Sequence, residues 1–259
     1  MNSFEQAFAG VQKSAEAAGR AARDVAKAAK ALATAAHQGD IPKLRRAIER
    51  LARAQDTAAQ EVTNAGESWP FPEEEEETYL RDCFADELVK LAKTEGLQIF
   101  PLDADLVVFP SVLRVLSAER AVRIDRKRVA AIRPSHLIAT LKSSQSKKST
   151  FEPARFIEAL HGAYQALQSA EQFDDTVPLA RVYELLTLLP GVNTDYDKST
   201  FGRDLLMLST SGVIRSKSGA IISLPSATAT KGSRGIFPAV GRDGTLIRFY
   251  GIRFAKDTK

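Results

Sequence analysis

Cysteine is almost absent from this chain. Cys83 is the only one, so no disulfide can close within the sequence, and a reducing cytoplasm is the expected compartment. Histidine is nearly as scarce. His37, His136 and His161 are expected on three different helices, with no second histidine at i+4 and no Cys/His partner at ligand spacing, so neither a zinc site nor any other bound metal is expected. No apolar run approaches the roughly 18–20 residues that a membrane helix needs, so no membrane contact is expected. Met1-Asn2-Ser3-Phe4-Glu5 has no basic region leading into an apolar stretch, so we expect no secretory signal. There is no phosphate-cradling Gly-x-x-x-x-Gly-Lys-Ser/Thr and no Gly-x-Ser-x-Gly elbow, and no cofactor is expected.

What is present is enough apolar content for a core, 44% of 259 residues, and charge arranged in blocks. The net charge of +4 divides as +2 over residues 1–72, −6 over 73–100, +6 over 101–150, −4 over 151–176 and +6 over 177–259. Separate basic blocks suit polyanion contact by particular parts of the surface, or internal docking on acidic neighbours.

Residues 2–37 read as one long helix, with Phe4, Phe8 and Val11 at i, i+4, i+7 and alanine dominating beyond. Gly39-Asp40 breaks it. Asp40 can cap a second helix, with Pro42 in its first turn, running to about Thr63 with Leu44, Ile48, Leu51, Ala54, Ala58 and Val62 as its stripe. The pair is an antiparallel hairpin with a thin alanine-rich seam, suited to docking a protein partner or a second copy through residues 2–63, or to bundling with other helices of the chain. Two prolines in 68–72 end the helical run. Residues 73–77, all glutamate, open a third helix to about Thr94 and complement its dipole.

After Gly96 come short β-branched stretches at 97–100, 106–109, 121–124 and 129–132, with Asp125-Arg126-Lys127 as a turn. A helix is expected over 136–143, a polar linker over 142–150 and another helix over 151–170. The fold class expected is α+β and predominantly helical, in three parts: a helical hairpin (1–72), a small mixed α/β region (73–150) and a C-terminal domain (151–259).

In that last part the order is a helix at 177–189, a polar turn, a helix at 197–208, Gly212, a strand signal at 213–224, a Gly/Ser/Lys/Arg-rich stretch at 226–242 and a strand signal at 244–254. The tail Leu205-Leu206-Met207-Leu208-Ser209-Thr210-Ser211-Gly212-Val213-Ile214 and the hairpin after it resemble the winged helix-turn-helix family. The resemblance covers about the last 80 residues, or runs from Phe151, making 151–259 a winged-helix domain, if the preceding helix is the first of three. It implies a recognition helix presenting Lys198, Ser199, Thr200 and Arg203 to the major groove, and a wing presenting Arg215, Lys217, Lys231, Arg234 and Arg242 to phosphates. The helix holds only two cations, offset by Asp197 and Asp204, so backbone grip is expected more than base reading. The expectation is a non-catalytic subunit binding duplex DNA. The alternative is an assembly subunit whose winged helix docks protein. A third reading is a metal-dependent nuclease built on Asp103, Asp105 and Asp125 with Arg126 and Lys127, set against their plain use as turn residues. Cys83, between Asp82 and Asp86, is read as a packed residue, since nearby carboxylates oppose a thiolate.

Overall fold

The computed structural model describes residues 3–147, 149–171, 173–188, 196–226 and 235–255. The chain is α+β and divides into two compact units, residues 1–79 and 80–259. The middle and C-terminal regions pack together as the second unit.

The first unit is the helical hairpin. Helix α1 (Phe4–Gln38) starts at Ser3, whose side chain accepts the Gln6 N–H, and ends at Gly39 in the left-handed region (φ 72°), where the cap N–H reaches the Ala35 and Ala36 carbonyls. Helix α2 (Ile41–Gly66) starts at Asp40, which accepts the Lys43 N–H at 3.0 Å. The inward residues of α1 advance by alternating steps of three and four, from Phe4 and Ala7 through Ala21 and Ala28 to Ala35, and those of α2 run through Leu44, Ala47, Leu51, Ala54 and Ala58. That is the seam of a two-stranded antiparallel coiled coil, with alanine allowing close approach. Ile48 and Val62, expected in this stripe, lie outside it. They are 52% and 60% exposed, and Ile41 is 62% exposed. Five rings close the open end of the hairpin. Phe4 stacks on Tyr79 at 4.5 Å, meets Phe71 at 4.7 Å and Trp69 at 5.6 Å, and Phe8 lies 4.9 Å from Trp69.

The expected third helix is two helices, α3 (Glu73–Asp82) and α4 (Phe84–Thr94), interrupted at Cys83 with no glycine or proline there. An antiparallel five-stranded meander follows: β1 (Phe100–Leu102), β2 (Asp105–Val108), β3 (Ser111–Leu116), a 3-10 turn (Ser117–Glu119), β4 (Ala121–Ile124) and β5 (Lys127–Val129). Strand β3 has no counterpart among the sequence expectations. Asp103 and Asp125 occupy positive-φ turn positions (52° and 56°), a conformation aspartate tolerates better than most residues.

Helix α5 (Pro134–Ser146) packs on α4, and α6 (Pro153–Glu171) leads into β6 (Val177–Pro178), α7 (Leu179–Leu186) and α8 (Lys198–Thr210). The polar turn expected over 192–197 lies mostly outside the described residues. Strand β7 (Ile221–Ser223) follows α8. Part of the expected basic loop is β8 (Phe237–Val240), which pairs with β9 (Leu246–Phe249), and β10 (Gly251–Ala255) ends the described chain. Strand β10 lies between β6 and β7 and runs antiparallel to both. The core beneath joins Ile157 and Leu160 of α6, Val182 of α7, Phe201 and Leu205 of α8, Phe237 of β8 and Ile252 of β10.

Candidate functional site

Helix α8 is where charge, burial and specific geometry meet. Eight of its residues are buried, among them Ser199, Thr200, Gly202 and Asp204 as well as the apolar Phe201, Leu205, Leu206 and Leu208. A helix exposing a reading face to DNA would bury one stripe only. This one is covered on more than one side because two elements of its own unit lie on it.

Strand β8 covers the first. A Cβ added to Gly202 would stand 2.3 Å from the Pro238 carbonyl oxygen, so only glycine admits this approach of strand to helix. Phe201 and Phe237 meet edge to face at 4.8 Å beside it.

The five-stranded sheet covers the second through an ionic junction. Asp105, Arg114, Arg123 and Arg128 stand in register across β2, β3, β4 and β5. Two arginines directly opposite one another repel. Here Asp105 takes Arg114 in two parallel bonds of 2.6 and 2.7 Å, and Asp197 lies between the two arginines, paired with Arg123 and 3.4 Å from Arg114. Asp197 is also the N-cap of α8, accepting the Thr200 N–H at 2.9 Å, so one carboxylate starts the helix and ties it to the sheet. Arg128 is held apart by Glu119 at 2.7 Å.

One turn along the helix, Arg203 donates to Asp204 at 2.9 and 2.7 Å and to Asp125 in the β4–β5 turn, while Asp125 also accepts the Val112 N–H at 3.1 Å. The Tyr196 hydroxyl donates to Asp204 at 2.9 Å, and Arg126 lies 4.6 Å over the Tyr196 ring. Burial, with Asp204 adding to it, holds the Tyr196 phenol far above its ordinary pKa. Burial works against the Arg203 charge, but Asp204 and Asp125 outweigh it and the guanidinium is held more firmly protonated. For Arg114 the bonded Asp105 has the same effect.

These positions decide what the sequence-derived residues do. Ser199 and Thr200 are buried, and the Arg203 guanidinium is committed to two carboxylates, so the three cannot serve as a DNA-facing row while the sheet is in place. Lys198 is exposed beside them. Arg215 is exposed and bridges to Ile221, Lys217 is exposed with its N–H on Glu158, and Arg242 is exposed in the β8–β9 turn. Lys231 and Arg234 lie outside the described residues.

Asp105 is 2% exposed and saturated by Arg114, Asp125 is held by Arg203, and Asp103 is an exposed turn residue. The three do not converge. Among the described residues, no group of three histidine, cysteine or acidic side chains is placed to hold a metal ion. Sequence reasoning missed Arg114, Arg123 and Tyr196 and counted Asp197 and Asp204 only as an electrostatic offset. Charged residues at alternate strand positions read as a solvated face, and only the register shows that they form one row facing a helix cap.

Chemically, the arrangement is an ionic clamp. It presents no free carboxylate pair and fixes α8 against the sheet. The chain matches no protein-family model, no curated protein and no solved structure.

Proposed function

We propose that this chain is a non-catalytic assembly subunit whose C-terminal third is a winged helix-turn-helix module adapted to docking protein. The element order α6, β6, α7, α8, β7, β10, with β10 between β6 and β7, supports the family resemblance, and β8–β9 would be an insertion in the wing. The observation that carries the docking reading is the cover on α8. The helix that a DNA reader would offer to the groove is clamped to the chain's own sheet by Asp197 and Arg203. The single cysteine suits a reducing cytoplasm for such a subunit.

The partner we infer is a second copy, bound through one flank of the hairpin. Ala17 and Asp24 of α1 line a shallow groove with Arg50 and Thr57 of α2, which sets one flank. On the other flank, Ala15, Ala22, Ala29 and Ala36 are exposed along α1, and Ile41, Ile48 and Val62 are exposed along α2. Large side chains thus stand in one row and small ones in the other. A twofold rotation lays each large row over a small one, the self-complementarity that an isologous interface requires.

Sedimentation of the full chain tests this. A dimer is expected, converted to monomer by Ile48→Asp with Val62→Asp at unchanged helicity. A wild-type monomer at high concentration, with duplex DNA binding lost in Lys198→Ala, Lys217→Ala and Arg242→Ala combined, would return the C-terminal module to backbone-gripping DNA.

A further inference from the structure

The half of the hairpin nearest the α1–α2 turn holds a large excess of positive charge. Residues 20–53 contain nine lysines and arginines against three acids, while residues 4–19 and 54–67 contain one cation against five acids. The cations are ordered. Arg20, Arg23, Lys27 and Lys30 advance along α1 by three, four and three residues, which keeps them on one side of that helix. Lys43, Arg46, Arg50 and Arg53 advance along α2 by the same steps, and all eight are exposed. The two rows come together at Arg20, Arg50 and Arg53, which line the same inter-helix groove together with Asp24 and Glu61. This is the flank away from the Ile41–Ile48–Val62 row.

Ion pairing separates these cations from the arginines around α8. Arg114, Arg123, Arg128 and Arg203 are each neutralised by carboxylates. In the hairpin, Lys43 pairs with Asp40 and Arg53 with Glu49, and the remaining six of the two rows have no salt bridge among the described residues. A stiff rod with two such rows repels itself until an anion of matching extent lies along it. Each row spans roughly 15 Å, a length over which a duplex carries roughly nine phosphate charges. Scattered acidic side chains of a protein would not supply so regular a line.

We propose that this flank binds the phosphodiester backbone of nucleic acid, without reading sequence. The site is independent of the C-terminal module and compatible with dimerisation through the opposite flank.

The test is fluorescence anisotropy of the full chain with labelled 30-base-pair duplex DNA and, separately, duplex RNA. Binding at 50 mM salt should weaken roughly a hundredfold or more by 200 mM, as expected for release of several counterions. Lys27→Gln, Arg46→Gln and Arg50→Gln together should cost at least tenfold at 50 mM and make the salt dependence shallower by about three. Lys198→Gln, Lys217→Gln and Arg242→Gln together should leave both unchanged. Circular dichroism should show the hairpin triple variant as helical as the wild type. Binding of either duplex, or of both, in this pattern supports the proposal, and a preference for one identifies the source of the phosphates. Absence of binding to both duplexes at 50 mM overturns it. So does full affinity in the hairpin variant, or binding to phosphatidylserine vesicles with none to either duplex. None of these outcomes bears on the dimer, which sedimentation decides separately.

Discussion

Arg203 of α8 and Asp125 of the β4–β5 turn are 78 residues apart in sequence and joined by a hydrogen-bonded ion pair, and the same guanidinium holds Asp204 with its other nitrogens. A side chain expected to face a DNA groove instead faces the chain's own sheet.

The first expectation concerns this arginine. Arg203→Ala leaves the buried Asp204 and Asp125 without their ion-pair partner, holding, among the described residues, only the Tyr196 hydroxyl and the Val112 N–H. Breaking a largely buried pair on one side costs about 3–5 kcal/mol. Urea denaturation should show the loss, while nucleic-acid affinity should not fall. A large affinity loss with unchanged stability would instead mean that Arg203 contacts the ligand.

Gly202 supplies a reversal of sign. In an open helix, replacing glycine by alanine stabilises by roughly 1 kcal/mol. At Gly202 the new methyl would meet the Pro238 carbonyl oxygen, a backbone atom, at 2.3 Å. Gly202→Ala should therefore destabilise, by about 1–3 kcal/mol for an overpacked site. Gly10 in α1 has nothing within 4 Å, and Gly10→Ala should stabilise its unit. Thermal melts of the two variants should move in opposite directions.

Alkaline pH should act through two tyrosines. Burial holds Tyr183 and, more strongly, Tyr196 in the phenol form, so both folded pKa values lie above the unfolded value of about 10. Their contribution is complete below pH about 10. Above it the unfolded chain releases protons that the folded chain retains, so stability falls with rising pH. Absorbance of phenolate should show these two ionising together with unfolding of residues 80–259. Tyr196→Phe should make the alkaline slope shallower.

Trp69 is the only tryptophan and sits within the aromatic cluster of the hairpin, its indole N–H on Glu76 at 3.0 Å. Its emission therefore reports on the first unit. Phe4 is 1% exposed and touches four of the cluster's rings. Phe4→Ala should cost about 3–5 kcal/mol and shift Trp69 emission to the red.

Much of the local structure was legible in the residues themselves. Gly39 and Asp40 marked the turn between the long helices, the two prolines in 68–72 marked the end of the second, and Asp125-Arg126-Lys127 marked a hairpin turn, although Lys127 already belongs to β5. Each is a short-range effect: a left-handed glycine, a capping carboxylate, a missing N–H. The break at Cys83 was not legible, because no residue there opposes helix. Strand β3 was missed because Arg114 interrupts its apolar pattern, and the carboxylates that make a charge tolerable there come from β2 and from the start of α8.

By itself the sequence determined the two long helices, the turn and caps between them and the alanine seam of the hairpin, since these depend on neighbours within about one helical turn. Tertiary structure alone decided what the charges are for. Asp105, Asp125, Arg203 and Asp204 look like turn residues and a solvated helix face until the sheet closes over α8, which buries Asp105, Arg203 and Asp204 and pairs Asp125 with Arg203. The hairpin cations, by contrast, stay in water on a rod with few acids near them. Whether a charge is neutralised depends on what lies opposite it, and that is set by partners tens of residues away.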